Sequence, residues 1–349
     1  MKKELSFEKI GLGSIEKCYA ALGVEIEGRP CLFFGGEGPG SVRAFRGERF
    51  EKCDVIWEGG GGTMSIVPFP GHGGVALISR GFYSMVDCGK SAIELARYRD
   101  GAFSHEVVAE LPYLHRFDTV LAPDGIRYVV AATLHGGKAD KDDWSKPGHL
   151  YIGELPESAD APFRVELAQI PGDYFVHHGF YKGEWEGREA AFTASREGAF
   201  VTLPPDKRGG AWRTERLLDF PVSDIAVCDI DGDGEKEIAA LLPFHGNQFK
   251  IFHREGSGYR EVFAHPVEND FYHAVVAGRI CGELMFAVGA RKFAAELFLA
   301  RWDRDRGEYF TQRLEAGSGP SNLAILNTAA GDYLLSANRM IFEAAVYRF

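Results

Sequence analysis

The sequence predicts an all-β fold, a seven-bladed β-propeller, on three observations. Short runs of valine, isoleucine, phenylalanine, tyrosine and alanine alternate with glycine, aspartate and proline, and long amphipathic helical patterns are scarce. A unit of two apolar strands joined by a tight turn, followed by a third strand with aromatic residues, recurs seven times at intervals of roughly 45 to 60 residues. The last unit has only three strands, and an unpaired strand-like segment precedes the first unit.

The repeats follow one another through the whole chain. In order, their first two strands lie in residues 19–22 and 30–34, 66–68 and 75–78, 119–121 and 128–132, 180–181 and 189–193, 225–227 and 237–240, 275–277 and 284–288, and 323–325 and 333–336. This spacing is typical of four-stranded propeller blades, so we predict one domain that spans residues 1–349. The alternative is a pair of β-sandwiches with irregular connections.

The N-terminal segment, residues 5–10, is expected to close the ring. The last repeat ends at Phe349 after three strands, so its sheet has one open position. A strand from residues 5–10 in that position removes an exposed sheet edge. We label the strands of each blade A to D from the channel outward. The A–B turns then lie on one face of the propeller, and the B–C loops and D–A connections lie on the other.

Composition and charge limit the classes of function. With 45% hydrophobic and 13% aromatic residues the chain can form a large core, and its formal net charge of -11 argues against nucleic-acid binding, which depends on basic surface. The first residues contain no apolar signal segment, and no run is long and apolar enough to indicate a membrane span. Six dispersed cysteines without a C-x-x-C pair predict free thiols in a reducing compartment, and hence a cytoplasmic protein. The oligomeric state stays open.

An acidic loop is the clearest single motif. Carboxylates stand at every second position between two apolar strands, as Asp229, Asp231, Asp233, Glu235 and Glu237. Hard cations such as Ca²⁺ bind about six to eight oxygens, and a tight loop of this kind supplies several of them. Because the loop joins strands A and B of its blade, the predicted cofactor is a structural Ca²⁺ that braces one hairpin.

Polar residues from different blades are expected to meet at one mouth of the channel. The B strands end in Glu37, Arg80, His135, Arg196, His245, Arg291 and Arg339, and the D–A connections add His115, His177, His178, His273 and Asn322. Any single histidine among them is more simply explained as a core or surface residue. Four arginines and several histidines together, however, would repel one another without a ligand or counter-ions. We therefore predict a ligand site at this mouth.

The residue types in this set suit proton abstraction next to a carbonyl or carboxylate. Neutral histidines hold a divalent metal or move protons near pH 7, and arginine forks bind carboxylates and sugar oxygens. The predicted acid, base or metal-binding residues are His115, His177, His178, His273 and Tyr272, with a divalent transition metal such as Mn or Zn at His115, His177 and His273. The predicted substrate-binding residues are Arg80, His135, Trp144, Arg196, His245, Arg291 and Arg339. Further candidates for the acid or base are Tyr83 and Tyr174.

The longest insertion, residues 135–148, is a B–C loop on the same face. A long polar loop that carries Trp144 is typical of a lid or a substrate-binding element. A solvated surface loop explains its charged residues equally well. Trp144 is the exception, because an exposed tryptophan usually packs on another group, a sugar ring included.

The acidic loop and the repeat resemble β-propellers of the FG-GAP or VCBS type, since the loop reads D-x-D-x-D-G-x-x-E. Residues 115–118 and 142–151 also resemble the propeller part of aldos-2-ulose dehydratase and anhydrofructose dehydratase, enzymes that eliminate water from keto-sugars. Seven-bladed polysaccharide lyases, which perform β-elimination on uronates with channel histidines, offer a second analogy. Likeness of fold alone does not establish function.

The leading prediction is a carbohydrate lyase that acts by β-elimination. Its substrate would be a small keto-sugar, glycoside or uronate bound at the channel mouth. The competing prediction is a non-catalytic propeller that binds a glycan or a protein partner. A third possibility, a propeller hydrolase, needs a pair of carboxylates, and Glu37 is the only acid among the B-strand ends.

Overall fold

Seven four-stranded antiparallel sheets surround a central channel in the computed structural model, which describes residues 4–349. The protein is therefore a seven-bladed β-propeller, as the repeat predicts. No helix occurs within residues 4–349, so this part of the chain contains none that is long and apolar enough to cross a membrane.

The strands follow one another blade by blade, from the channel outward. The chain begins with β1 (Glu8–Ser14), and blades 1 to 3 contain β2 (Cys18–Ile26), β3 (Arg29–Gly36), β4 (Val42–Arg46) and β5 (Lys52–Trp57); β6 (Ile66–Pro68), β7 (Val75–Arg80), β8 (Ala92–Arg99) and β9 (Ala102–Glu110); and β10 (Leu114–Leu121), β11 (Arg127–Thr133), β12 (Leu150–Glu154) and β13 (Ala168–Gln169). Blades 4 to 7 contain β14 (Gly179–Trp185), β15 (Arg188–Ser195), β16 (Gly198–Leu203) and β17 (Arg213–Leu218); β18 (Asp224–Cys228), β19 (Glu237–Leu242), β20 (Gln248–Glu255) and β21 (Gly258–Ala264); β22 (Asn269–Ile280), β23 (Glu283–Phe293), β24 (Leu297–Asp303) and β25 (Glu308–Glu315); and β26 (Pro320–Thr328), β27 (Gly331–Asn338) and β28 (Glu343–Arg348).

The N-terminal strand closes the ring. β1 pairs antiparallel with β28 as the outermost strand of blade 7, and Ile10 lies opposite Val346. Ahead of this strand, the backbone of Leu5 exchanges two hydrogen bonds with the side chain of Gln312 in blade 6, at 2.9 and 2.8 Å. The predicted closure is confirmed, although the closing strand spans Glu8–Ser14 and not residues 5–10.

Neighbouring blades pack against each other through apolar clusters. Seven such clusters among the described residues lie between successive sheets around the ring. Between blades 4 and 5, for example, Phe192 and Val201 pack with Ile225 and Ile238. The B strands are buried on both faces, as in Glu237–Leu242, which explains why they read as unbroken apolar runs.

Because successive strands of a blade are antiparallel, the connections between them lie alternately on the two faces of the propeller. The A–B turns lie on one face, and they include the acidic loop between β18 and β19. The B–C loops and the D–A connections lie on the other face. The first residues of the inner strands β2, β6, β10, β14, β18, β22 and β26 therefore surround one mouth of the channel.

Candidate functional site

One residue from each blade occupies the same position at this mouth, and we name these seven residues the mouth ring. They are Tyr19, Ser65, His115, His178, Ser223, His273 and Ser321. In blades 1, 3, 6 and 7 the residue is the extra one in a β-bulge, at the start of the inner strand in blades 1, 3 and 7 and four residues into β22 in blade 6. A bulge of this kind redirects a side chain, so the irregularity in the strand serves to aim these groups at the channel.

Three histidines of the mouth ring are oriented by the blade that follows them. The Nδ1 atom of His115 lies 3.2 Å from the backbone carbonyl oxygen of His178. The Nδ1 atom of His178 lies 3.0 Å from that of Ser223, and the Nδ1 atom of His273 lies 2.8 Å from that of Ser321. Because a carbonyl oxygen only accepts, each Nδ1 carries the hydrogen. Each Nε2 is left with a free lone pair, the arrangement common in metal-binding histidines.

A ring nitrogen from each of three histidines converges on one point. Those of His178, His245 and His273 all lie within 4.8 Å of one another. The Tyr19 hydroxyl oxygen is 3.4 Å from Nε2 of His273 and also 3.4 Å from Nε2 of His115. We call His178, His245 and His273 the histidine cluster; His115 and Tyr19 border it.

His245 reaches the cluster from a B–C loop and is held there by two aromatic rings. Its ring stacks on Phe244 and Phe271, with centroids 3.7 and 4.0 Å apart. Its backbone has a φ of 49°, a left-handed conformation that a non-glycine residue adopts at some energetic cost. Its Nε2 atom is buried and has no hydrogen-bond partner among residues 4–349. The stacking fixes an imidazole that lacks the carbonyl contact of the ring histidines.

Burial keeps these imidazoles neutral. Desolvation, aided by nearby positive groups, lowers the pKa of His178 to about 3 and also lowers the pKa of His115, His245 and His273. Burial raises the pKa of the Tyr19 phenol to about 12. At neutral pH the site therefore holds four uncharged imidazoles and a protonated tyrosine. This set can bind a cation or exchange protons.

Two of the predicted arginines flank the cluster. The guanidinium carbon of Arg291 lies 4.4 Å from the ring centroid of Phe271, and burial lowers the pKa of Arg291 to about 10. The Nε atom of Arg291 has no hydrogen-bond partner within the described chain. Arg339 binds the carboxylate of Glu37 at 2.5 Å. Arg291 thus retains a donor for a ligand, whereas Arg339 is already paired.

Three other predicted site residues pack between blades, namely Tyr174, His177 and Tyr272. His177 is fully buried and stacks on Tyr174, with ring centroids 4.6 Å apart. Tyr272 belongs to the apolar cluster between blades 5 and 6, and its hydroxyl lies 3.4 Å from Asn269.

Of the three residues expected to bind a transition metal, only His273 belongs to the histidine cluster. The structure brings His178 and His245 to that position, and His115 borders it.

Two further arginines have other surroundings. Arg80 donates to the Gly60 carbonyl at 2.8 Å and to the Glu94 carboxylate at 2.6 Å. The Tyr83 hydroxyl also contacts Gly60, at 3.4 Å. Arg196 is exposed, and its guanidinium carbon is 5.9 Å from the ring of Phe175. The guanidinium of Arg80 is therefore already bound by groups of the protein, and Arg196 lies at the surface.

The long loop folds over the mouth. His135 contacts the Met85 carbonyl through Nε2 at 2.8 Å and accepts the Gly137 amide through Nδ1 at 3.0 Å, so it braces the base of the loop. Trp144 packs edge-to-face on Phe244, with centroids 5.5 Å apart. Phe244 in turn contacts His178, at 5.3 Å between centroids. The loop thereby covers part of the histidine cluster.

Two residues near the cluster were missing from the predicted set. Tyr19 occupies the mouth-ring position of blade 1, and Arg116 directly follows His115 on β10. Aligning the beginnings of the seven inner strands places Tyr19 with the histidines. Tyr19 could therefore have been predicted from the repeat. Arg116 follows from the same alignment, one position further into the channel.

The acidic loop holds a second group of possible metal ligands. Asp231, Asp233, Glu237 and His253 place their ligand atoms within 4.8 Å of one another. His253 comes from β20 and was not predicted. Asp229, in contrast, accepts the amides of Gly232 and Gly234 at 2.7 and 3.1 Å, so it shapes the loop from within. Glu235 is exposed and lies 3.5 Å from Arg254.

Fold and site together define a seven-bladed β-propeller with a buried histidine cluster at one channel mouth. Comparison with models of known protein families and with curated protein sequences finds no match to this chain.

Proposed function

We propose that the protein is a metal-dependent carbon–oxygen lyase that acts on a small carbohydrate by β-elimination. The observation that carries this proposal is the histidine cluster with its oriented, neutral imidazoles. The proposal includes membership in the FG-GAP or VCBS type of propeller, on the spacing of the acidic loop. It also includes a relationship to the keto-sugar dehydratases.

The histidine cluster fits a divalent transition metal such as Zn or Mn. Imidazole nitrogens suit these ions, and the carbonyl contacts of His178 and His273 leave Nε2 as the ligand atom. The three ring nitrogens lie within 4.8 Å of one another, so His178, His245 and His273 would hold the ion between them. When bound, such an ion polarises a carbonyl or carboxylate oxygen of the substrate.

The residues that border the cluster supply the proton transfers. Nε2 of His115 is unprotonated and lies outside the cluster, so it serves as the base that removes the hydrogen next to the carbonyl or carboxylate. The electron pair of that C–H bond forms the new C=C bond while the β-carbon–oxygen bond breaks. The Tyr19 hydroxyl protonates the departing oxygen, which leaves as water or an alcohol. Arg291 binds the oxygen on which negative charge develops.

Elemental analysis and an elimination assay test this function. The purified protein should contain about one transition-metal ion per chain, in addition to any Ca²⁺. A panel of keto-sugars and uronides should give at least one product with the ultraviolet absorbance of a conjugated double bond. His273→Ala should lose both the metal and the activity. His177→Phe is the matched control, because His177 packs on Tyr174 away from the cluster, and it should keep both. Retention of metal and activity by His273→Ala would refute the assignment.

A non-catalytic binding propeller is the second candidate, and an exposed apolar rim favours it. Phe293 is 71% exposed, and Met340, Ile341 and Phe342 are 47%, 49% and 44% exposed. These residues come from the B–C regions of blades 6 and 7, on the same face as the histidines. Such a rim is typical of a surface that contacts a partner. A protein without transition metal or elimination activity that binds a glycan or protein through this rim would favour this candidate.

The acidic loop has a separate, structural role in the proposal. Asp231, Asp233 and Glu237 would hold Ca²⁺ and thereby fix the β18–β19 hairpin. One oxygen of Glu237 accepts the Ile230 amide at 2.8 Å, and the other is buried without a hydrogen-bond partner in residues 4–349. This oxygen lies 3.4 Å from Nε2 of His253 and within 4.8 Å of a ligand atom of Asp231 and of Asp233, a group that fits a cation site.

A further inference from the structure

A cavity of about 300 Å³ lies in the channel beneath the mouth ring. All seven inner strands contribute to its wall, and much of the lining is apolar, from residues such as Val67, Val275 and Ile325. Charged groups also face it, namely Arg116, Asp118, Lys182 and Asp224. A void of this size accommodates a small ion with water, and its mixed lining resembles a binding site more than a packing defect.

Arg116 is the group in this wall whose hydrogen-bonding capacity is least satisfied. The residue is only 7% exposed. Its Nε and Nη2 atoms are both buried and have no hydrogen-bond partner in the described part of the chain. The Asp224 carboxylate is 3.8 Å from Nη2, too far for a hydrogen bond. A buried guanidinium with two unused donors carries a large desolvation penalty, which an anionic ligand would offset.

The two unused donors have the geometry of an oxyanion fork. Nε and Nη2 lie on the same side of the guanidinium and offer parallel N–H groups to two oxygens of one ligand. The protein's own carboxylates do not occupy this fork. Asp224 accepts the Ile225 amide at 3.0 Å, and burial raises the pKa of Asp224 to about 7. Burial likewise raises the pKa of Asp118 to about 6. The negative charge available inside the protein to balance Arg116 is thereby reduced.

We propose that the cavity beneath the histidine cluster is a binding site for a small oxyanion, such as phosphate, sulfate or a simple carboxylate, anchored by Arg116. This site differs from the proposed lyase site, since Arg116 lines the cavity and none of His178, His245 and His273 does. It depends on neither the metal nor the elimination chemistry.

Gly179 lets blade 4 pack closely against blade 5 beside the cavity. It occupies the position on β14 that Arg116 has on β10 and Asp224 has on β18. A Cβ atom there would come within 2.7 Å of the Asp224 Cα and the Ala194 Cβ. Blade 4 therefore places no side chain between the guanidinium of Arg116 and the carboxylate of Asp224.

Selenate tests the proposal because it is an oxyanion whose selenium can be located by anomalous scattering. Crystals of the full chain soaked in millimolar selenate should show a peak within hydrogen-bond distance of Nε and Nη2 of Arg116. Titration calorimetry with selenate and with inorganic phosphate should show saturable binding in solution. Arg116→Gln should abolish both signals. Arg196→Gln, which changes an exposed arginine at the surface, is the matched control and should keep them.

A second variant keeps the test decisive if Arg116→Gln fails to fold. Asp224→Asn removes the negative charge nearest to the fork, so it should bind selenate several-fold more tightly. Absence of a selenate peak in the cavity, together with no heat of binding, would overturn the proposal. A peak that persists in Arg116→Gln, or affinity that drops in Asp224→Asn, would contradict the anchoring role.

Discussion

His178 donates its Nδ1 hydrogen to the backbone carbonyl of Ser223, the residue at the same position on the next blade. His115 and His273 make the same contact with His178 and Ser321. The direction of each imidazole is thus set by the spacing between two blades. The geometry of the histidine cluster therefore depends on the closed ring of blades. A change in how the blades pack should alter the positions of these histidines.

The shared hydroxyl of Tyr19 gives the first prediction. Tyr19→Phe removes the group that lies 3.4 Å from Nε2 of both His115 and His273. We expect the rate of elimination to fall at least tenfold, because the departing oxygen loses its proton donor, which typically contributes about 10²-fold or more. Metal content should stay unchanged, and stability should change by no more than about 1 kcal/mol. Full activity of Tyr19→Phe would exclude the acid role.

His177 gives a prediction about acid stability. Its pKa is lowered by burial to about 3, whereas an unfolded histidine has a pKa of about 6.5. Between these values the unfolded chain binds a proton that the folded chain does not, so this residue destabilises the fold as the pH falls from 6.5 towards 3. His177→Phe removes this proton uptake while filling the same space against Tyr174.

Chemical denaturation at several pH values measures this effect. His177→Phe should be within about 1 kcal/mol of the wild type at pH 8. Between pH 6 and pH 4 its stability should decline less steeply, by up to about 1.4 kcal/mol per pH unit. Parallel pH profiles for the two proteins would show that His177 does not titrate on unfolding.

The repeat in the sequence was sufficient to predict the blades, because strand periodicity and turn residues are local properties. Ring closure by β1 also followed, since a three-stranded last repeat leaves an open edge. The same reasoning placed His115, His178 and His273 at one mouth. It could not show which of His177 and His178 faces the channel. The local backbone conformation before the strand decides where each side chain points, and the sequence pattern does not reveal that conformation.

Contacts between strands of the same blade explain the remaining differences from the predicted site. Arg80 ends a B strand as Arg291 does, but Glu94 on the adjacent strand pairs with it. His253 joins the acidic loop from β20, a neighbour in the sheet that is distant in sequence. Such pairings depend on register and on rotamers, and neither is encoded in the spacing of a single motif.

The acidic loop gives a prediction about metal removal. Burial raises the pKa of Glu237 to about 7, well above its unfolded value. Without a cation, the folded chain holds a proton on Glu237, and that contribution to stability is lost as the pH rises through 7. Chelation at pH 8 should therefore lower the melting temperature of the wild type, since the charged carboxylate loses its counter-ion.

Glu237→Gln provides the comparison for chelation. It keeps an acceptor for the Ile230 amide but carries no charge. After chelation at pH 8 it should be more stable than the wild type, by on the order of 2 kcal/mol. Chelation at that pH should change its melting temperature little. If both proteins respond equally to the chelator, Glu237 does not bind the cation.

Removal of the N-terminal strand gives the last prediction, and it links closure to the site. Deleting residues 1–14 exposes the edge of β28 and removes the contacts between Leu5 and Gln312. The melting temperature should fall, and aggregation through the open edge should increase. Blade 7 also carries Ser321, whose carbonyl orients His273, so transition-metal affinity should fall as well. A synthetic peptide of residues 4–16, added in trans, should restore both properties by pairing with β28. A peptide that restores the melting temperature but not the metal affinity would show that the cluster does not depend on ring closure.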